Sequence, residues 1–352
     1  MTRGRQSDRQ EPRDRLDRPL RDLRISVTDR CNFRCTYCMP EEVFGERYQF
    51  LPREEILTFE EILRLTRLMV PMGVSKIRIT GGEPLLRHDL PQLIRGLHDT
   101  PGVEDIALTT NGTLLKYMAG HLHRSGLSRL TISLDSLNPE VFHRMNGGKL
   151  DVAKVLEGIE IAQEVGFTSI KINCVVQKGV NDHTLVDLAR YGRMNGHVIR
   201  FIEYMDVGTR NTWDLREVLR GEEIVALIGE AFPLEPLAPN YRGEVARRYR
   251  YRDGGGEIGL INSVSQPFCG DCSRVRMTTG GELVTCLFAH SGTDLRGPLR
   301  EGASDGELAE IIRRIWLSRD DRYSEERSAS GRDERESASD RRGRVEMYQI
   351  GG

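Results

Sequence analysis

Six short runs of apolar and β-branched residues limit the folds open to this chain: residues 23–27, 76–80, 106–109, 130–134, 170–176 and 198–202. Runs of this kind, apolar along most of their length and bounded by turn residues, mark parallel strands buried on both faces. Amphipathic stretches separate them, among them residues 58–70, 90–97 and 152–165, and Gly73, Gly126 and Gly166 stand just past three helical segments, where a left-handed residue ends a helix. Six such repeats predict an α/β fold: a partial (β/α)6 barrel of the TIM type, open where two further units would close it. Barrels of this kind place their chemistry at the C-terminal ends of the strands. The unusual residues fall there: Thr28 to Asn32, Gly81-Gly82-Glu83-Pro84, Thr110-Asn111-Gly112 and Asp135-Ser136.

The rhythm stops near Asp206. The chain then becomes rich in Gly and Pro, with a hairpin expected around residues 249–261. The expected division is an N-terminal extension (1–15) without order, a barrel core (16–205), a C-terminal extension (206–317) that could cover the open side, and a mobile tail (318–352). That tail carries Arg, Asp, Glu and Ser with few apolar groups before ending in Gly351-Gly352. With 51 Lys and Arg against 53 Asp and Glu, a net charge of -2, the overall balance argues against nucleic-acid wrapping or membrane coating. Residues 1–15 lack the apolar core of a secretory signal and no later run is long enough to span a bilayer, so the expected location is the cytoplasm.

Six of the seven cysteines form two close groups, which suits metal ligation in a reducing compartment better than a disulfide framework. Cys31-x3-Cys35-x2-Cys38 follows directly on the first strand. Three soft thiolates with no histidine nearby fit an iron–sulfur cluster or zinc, and a structural zinc site needs a fourth ligand that is absent from this stretch. Cys269-x2-Cys272-x13-Cys286 is more ambiguous: His290 follows four residues on, so a Cys3His zinc site also fits its spacing. Arg274 and Arg276 directly after Cys272 argue for something else, since guanidinium groups suit phosphate or the acceptor edge of a purine. Cys174 lies mid-strand and reads as core. His88, His98, His121, His123, His143, His183 and His197 show no ligand spacing with the cysteines and read as surface or helix-face residues.

The first cysteine loop, with Tyr37 just before Cys38, and Gly81-Gly82-Glu83-Pro84 resemble the motifs of the radical S-adenosylmethionine (SAM) superfamily. The resemblance implies a four-iron cluster on Cys31, Cys35 and Cys38 whose open iron chelates SAM, and reductive cleavage of SAM to methionine and a 5′-deoxyadenosyl radical. By motif position Tyr37, Gly82, Ser133 and Met205 would line the cofactor site. Taken with the second cysteine group, residues 22–32, Thr80 to Leu85, Thr109 to Gly112, Ser133 to Ser136, Arg200 to Met205 and the terminal Gly351-Gly352, the chain resembles the GTP 3′,8-cyclase family over nearly its full length. In that family a second four-iron cluster, here on Cys269, Cys272 and Cys286, binds the guanine base.

Cations inside otherwise apolar strands are costly unless paired or turned into a wet cavity. Arg24, Lys76, Arg78, Lys171 and Arg200 all fall in predicted strands and together argue for an anionic ligand in the barrel. The family resemblance assigns Arg24, Arg78, Thr109, Lys171 and the segment Arg274, Val275, Arg276 to GTP, with Lys76 and Arg200 near the triphosphate. It implies abstraction of the C3′ hydrogen of GTP, attack of C3′ on C8 and formation of (8S)-3′,8-cyclo-7,8-dihydroguanosine 5′-triphosphate, the first step of molybdenum cofactor biosynthesis. It also implies an external electron donor, a homodimer, hand-off to a downstream cyclic pyranopterin monophosphate synthase, and a need for Gly351 and Gly352 in activity. Two other readings fit parts of the sequence: a peptide-modifying radical SAM enzyme with an auxiliary cluster, and a zinc-stabilised module gripping nucleic acid through its arginines.

Overall fold

The computed structural model describes residues 11–148, 150–209, 213–329 and 344–351. Six βα units come first: β1 (Asp22–Ser26), α1 (Phe59–Met69), β2 (Lys76–Thr80), α2 (Leu90–His98), β3 (Asp105–Thr110), α3 (Leu115–Arg124), β4 (Arg129–Ser133), α4 (Pro139–Asn146), α5 (Val152–Glu164), β5 (Ile170–Val176), α6 (Leu185–Asn195) and β6 (Val198–Glu203). The C-terminal part adds α7 (Gly221–Ala231), β7 (Leu234–Leu237), β8 (Arg247–Tyr251), β9 (Glu257–Ile261), β10 (Arg274–Met277), β11 (Glu282–Val284), β12 (Thr293–Asp294), α8 (Arg296–Arg300), α9 (Asp305–Ser318), α10 (Tyr323–Ala329) and α11 (Met347–Ile350). All six strands expected from the sequence are present, within a residue at each end.

The strands form one sheet in the order β12-β11-β10-β1-β2-β3-β4-β5-β6-β9-β8-β7. From β10 through β9 every pairing is parallel. The expected six-unit barrel is therefore flanked on both sides by a parallel strand from the C-terminal extension, β10 beside β1 and β9 beside β6. These two occupy the places of the missing units, and β8 folds back on β9 as the expected hairpin. Outward-facing side chains such as Leu23, Ile25, Ile79, Leu108, Ile132 and Phe201 are buried against the helices. Helix α1 starts with a capping box, Thr58 accepting from the Glu61 amide and Glu61 from the Thr58 amide, which satisfies two otherwise unpaired donors.

Two expected segments differ. Residues 11–15, assigned to an extension without order, are tied to the fold: Pro12 and Asp14 are buried, Asp14 pairs with buried Arg18 at 2.5 Å, and the Arg15 amide donates to the Arg319 carbonyl at 3.1 Å. Residues 318–329, assigned to the mobile tail, continue from α9 and form α10, and residues 344–351 pack as an ordered end. Composition pointed to solvation because both segments are rich in charge; the charges are instead paired, Arg319 with Asp14 at 3.3 Å and with Asp321 at 3.0 Å. Residues 1–10 and 330–343, and Gly352, lie outside the described residues. Among the described residues no helix is long and apolar enough to cross a membrane.

Candidate active site

Alternate residues of a strand face opposite sides of the sheet, and the parallel register lines up the inward-facing set. Asp22, Lys76 and Asp105 share one row; Arg276, Arg24, Arg78, Ala107 and Arg129 share the next. Further along, Thr109 pairs with Thr131 and Thr131 with Lys171, while Asn173 pairs with Arg200. A single cavity takes in Arg24, Lys76, Arg78, Thr109, Lys171, Arg200, Met205, Arg274 and Arg276, together with Cys269, Cys272 and Cys286. The sequence-predicted cations thus converge. Arg78 donates to the hydroxyls of Thr109 (3.0 Å) and Thr131 (3.1 Å), and Arg200 donates to Thr131 (3.1 Å). The Nε atoms of Arg200 and Arg276 are buried with no hydrogen-bond partner, which marks them as donors awaiting a ligand.

Charge in the cavity is poorly balanced. Burial, then Arg276, Arg78 and Arg274, holds Arg24 well below the usual guanidinium range. Burial, then Arg78 and Arg129, lowers Arg200 to about 9, and burial with Arg200 and Arg129 lowers Lys171 to about 8. Cations held apart from water and close to one another gain from a polyanion that neutralises several of them together.

The first cysteine loop sits at the C-terminal ends of the strands. It turns tightly, Cys38 and Met39 both donating to the Cys35 carbonyl at 3.0 and 2.8 Å, and leans on α4 through Arg34 and Thr36. Gly82 lies flat against the turn that leads into it: its amide donates to the Thr28 carbonyl at 2.7 Å, and a Cβ there would stand 2.4 Å from the Arg30 carbonyl oxygen. Buried Glu83 ties in the next strand end, accepting from the Thr110 hydroxyl and the Asn111 amide at 2.7 Å each. Burial pushes its carboxyl up to about 7 against the pull of those donors. Tyr37 donates to Asp135 at 2.8 Å. Burial pushes the Cys31 thiol up to about 12, and burial with the neighbouring cysteines pushes Cys35 and Cys38 up. Three neighbouring half-buried thiols ionise together only against a cation, which is the setting a metal cluster provides.

The second group lies at the opposite end of the strands. Cys272 precedes β10 by two residues, and β10 starts level with the start of β1, Arg274 opposite Asp22. Arg274 donates to the Cys272 sulfur through Nε (3.2 Å) and Nη2 (3.1 Å), and Arg319 donates to the same sulfur at 3.2 Å. Burial alone would raise this thiol; the two guanidinium groups outweigh it and bring it down to about 6. Arg18 fixes the Cys269 carbonyl at 2.8 Å. A cysteine held as thiolate at neutral pH beside a cation-lined cavity fits a metal ligand. His290 is exposed, and among the described residues no three His, Cys, Asp or Glu side chains gather around one point as the ligands of a single ion must. Thiolates of a four-iron cluster each bind a different iron and stand further apart.

Val275, grouped with its neighbours from the sequence, faces the other way: it is 1% exposed in the apolar core, so only its backbone is available to a ligand. Ser133 is half-buried at the end of β4, on the inward-facing side with Asn173. Cys174 is buried, as its mid-strand place implied. His197 departs from the surface position expected of it: it is buried next to the start of β6, where its ring tilts against Tyr191 of α6. Sequence reasoning missed Arg129, one residue outside the predicted fourth strand, and Arg18 and Arg319, which lie in no predicted strand. Gly351 is buried, and a Cβ on it would stand 2.0 Å from Thr80 Cγ2, so the chain end reaches the close of β2.

Comparison with known proteins narrows what this arrangement is. Residues 25–192 match the Radical SAM superfamily and residues 197–325 match Molybdenum Cofactor Synthesis C. The GTP 3′,8-cyclase of Acidothermus cellulolyticus is 52% identical, with 97% of this chain and 99% of that protein covered. That of Staphylococcus saprophyticus is 47% identical, covering 96% and 98%. Among solved structures, Streptococcus suis SuiB bound to S-adenosylmethionine superposes with a TM-score of 0.59 at 17% identity, over 88% of this chain and 68% of SuiB, a likeness of fold. Relatives this similar over nearly every residue, and matched spans that take in both cysteine groups, leave one conclusion: the chain belongs to the GTP 3′,8-cyclase family of the radical SAM superfamily.

Proposed function

We propose that this protein converts GTP to (8S)-3′,8-cyclo-7,8-dihydroguanosine 5′-triphosphate in molybdenum cofactor biosynthesis, with the substrate held in the barrel between two four-iron clusters. The observation that carries this reading is the cavity: inward-facing cations from β1, β2, β4, β5, β6 and β10 of one parallel sheet, with one cysteine triplet beyond each end of them. Cys31, Cys35 and Cys38 would hold the first cluster, and Cys269, Cys272 and Cys286 the second. When bound, the first cluster and SAM supply the radical that removes the C3′ hydrogen of GTP.

The remaining work belongs to the chain. Gly82 lets the second motif press on the turn that leads into the cysteine loop, and Tyr37, Ser133 and Met205 complete the SAM side. Arg24, Arg78, Thr109 and Lys171 grip the nucleotide, with Lys76 and Arg200 at the triphosphate. Arg274, Arg276 and the backbone of Val275 approach the base beside the second cluster. Anchoring both ends of GTP holds C3′ and C8 within reaction distance, and the walls of the cavity keep water away from carbon radicals. The division near residue 205, between a radical-generating part and a substrate-holding part, belongs to the same proposal. So do an external electron donor, a homodimer and transfer of product to a cyclic pyranopterin monophosphate synthase.

Reconstituted enzyme incubated anaerobically with SAM, GTP and a strong reductant should yield 5′-deoxyadenosine and a cyclised nucleotide, and should contain about eight irons per chain. Absence of both products overturns the reading. About four irons with turnover intact would overturn the second cluster alone.

A further inference from the structure

Gly351 lies against Thr80 at the close of β2, next to the Gly81-Gly82 turn, and the approach to it is held by the turn that follows β6. We propose that this turn, residues 206–209, is a clamp that positions the C-terminal segment, and that Asp206, Gly208 and Thr209 are thereby positioning residues for cyclisation; this rests on the function proposed above.

The grip has two parts. Arg344 is buried and donates to the Asp206 carbonyl at 3.0 Å and to its carboxylate at 3.3 Å. Its other nitrogen donates to the Tyr323 hydroxyl at 2.7 Å, which in turn donates to Asp206 at 2.5 Å. Arg327 also pairs with Asp206. One buried carboxylate therefore ties down an arginine on each side of residues 330–343. Two residues beyond Arg344, both carboxylate oxygens of Glu346 accept from the Thr209 amide at 3.2 Å, and the Thr209 hydroxyl donates to it as well. Glu346 reaches this position because residue 208 has no side chain: Gly208 has φ +72, and a Cβ there would stand 2.2 Å from Glu346 Oε2.

An acidic and a donor residue on the turn thus meet a basic and an acceptor residue on the tail. Sliding the tail by one residue would break both contacts. A buried ion pair contributes little net stability compared with an apolar replacement; its better attested use is to select one arrangement. What the arrangement sets is the placement of the last residues. Ile350 packs with Val284 and Val345, Tyr348 meets the Tyr48 hydroxyl at 2.5 Å, and Gly351 reaches Thr80. The clamp directly follows Met205, and Tyr323 stacks on Phe288, two residues past Cys286, at 4.5 Å. The tail is thereby referenced to both ends of the cavity.

The test uses full-length, cluster-reconstituted enzyme carrying Arg344→Ala or, independently, Gly208→Ala, neither of which touches a cysteine. Amide hydrogen exchange over residues 345–351 should accelerate in both. 5′-Deoxyadenosine should stay within about twofold of the parent while cyclised nucleotide falls about tenfold or more, since small misplacements near reacting atoms are costly. Arg344→Lys should recover part of the product. Unchanged product, or loss of both products in step with loss of iron in both variants, overturns the clamp. Parent enzyme that makes no cyclised nucleotide would overturn the functional reading instead, and the exchange measurement would still decide whether the turn holds the tail.

Discussion

Lys171 shows how much of this site is decided by single side chains. Burial first, then Arg200 and Arg129, lowers it to about 8, with Arg78 adding to the effect and Glu244 opposing it. Without ligand it is charged below about 8 and neutral above, whereas a bound triphosphate favours the charged form. Binding should therefore take up a proton above about pH 8, and GTP affinity should weaken towards about tenfold per pH unit as pH rises further. Lys171→Arg keeps its charge through that window, so the GTP dissociation constant measured between about pH 7 and about pH 9 should lose most of its slope in this variant. An unchanged slope would assign the titration to another group. Gly82 makes a separate prediction. A Cβ there meets the Arg30 backbone at 2.4 Å, so Gly82→Ala should displace the first cysteine loop and lower iron from about eight towards about four per chain, with the fold retained by circular dichroism. At this scale the sequence was informative where a residue broke a pattern: charges within strands, glycines at strand ends. It was silent on Arg129, which stands at a strand boundary. It was equally silent on Arg319, which lies 47 residues from Cys272 along the chain and donates to its sulfur only once the chain is folded.

Strand β10 carries two functions on its two faces. Val275 is 1% exposed on the core side, while Arg274 and Arg276 line the cavity. Val275→Ala should cost about 1–3 kcal/mol of stability through lost burial and a small cavity, read as a lower denaturant midpoint with GTP affinity unchanged. Arg276→Met should do the reverse, weakening GTP binding about tenfold or more through a lost charged hydrogen bond while the midpoint holds. If both variants move the same quantity, the two faces are not separable. The six βα units were legible because each strand announces itself within five to seven residues. The partners of β1 and β6 were not, since β10 and β9 pair with strands far away in the sequence and nothing local specifies a long-range neighbour. The hairpin was visible; its parallel docking against β6 was not.

At the scale of the whole molecule, the chain end returns to the start of the barrel. Composition hid this, because the charged residues before it read as solvated, whereas among the described residues Arg319 pairs with Asp14, and Arg327 and Arg344 pair with Asp206. Gly351 has φ +66 and lies so close to Thr80 that a Cβ would stand 2.0 Å from Cγ2 and 2.3 Å from Oγ1. Thr80 immediately precedes Gly81-Gly82, which press on the turn leading into the first cysteine loop. Gly351 therefore touches the strand end that leads into the turn below the first cysteine group, and it does so without contributing a side chain. Deleting Gly351 and Gly352 should abolish cyclisation while iron content stays at about eight per chain; unchanged turnover in the truncated protein would refute this. Gly351→Ala tests the contact itself. It should lower cyclised product about tenfold or more through misplacement of the end, and Thr80→Ala, which removes both of the closest atoms, should restore part of that loss. The double variant should then outperform Gly351→Ala alone, the non-additivity expected of residues in direct contact. Additive losses would mean that the terminus acts away from Thr80, and that its closeness to the second strand plays no part in the reaction.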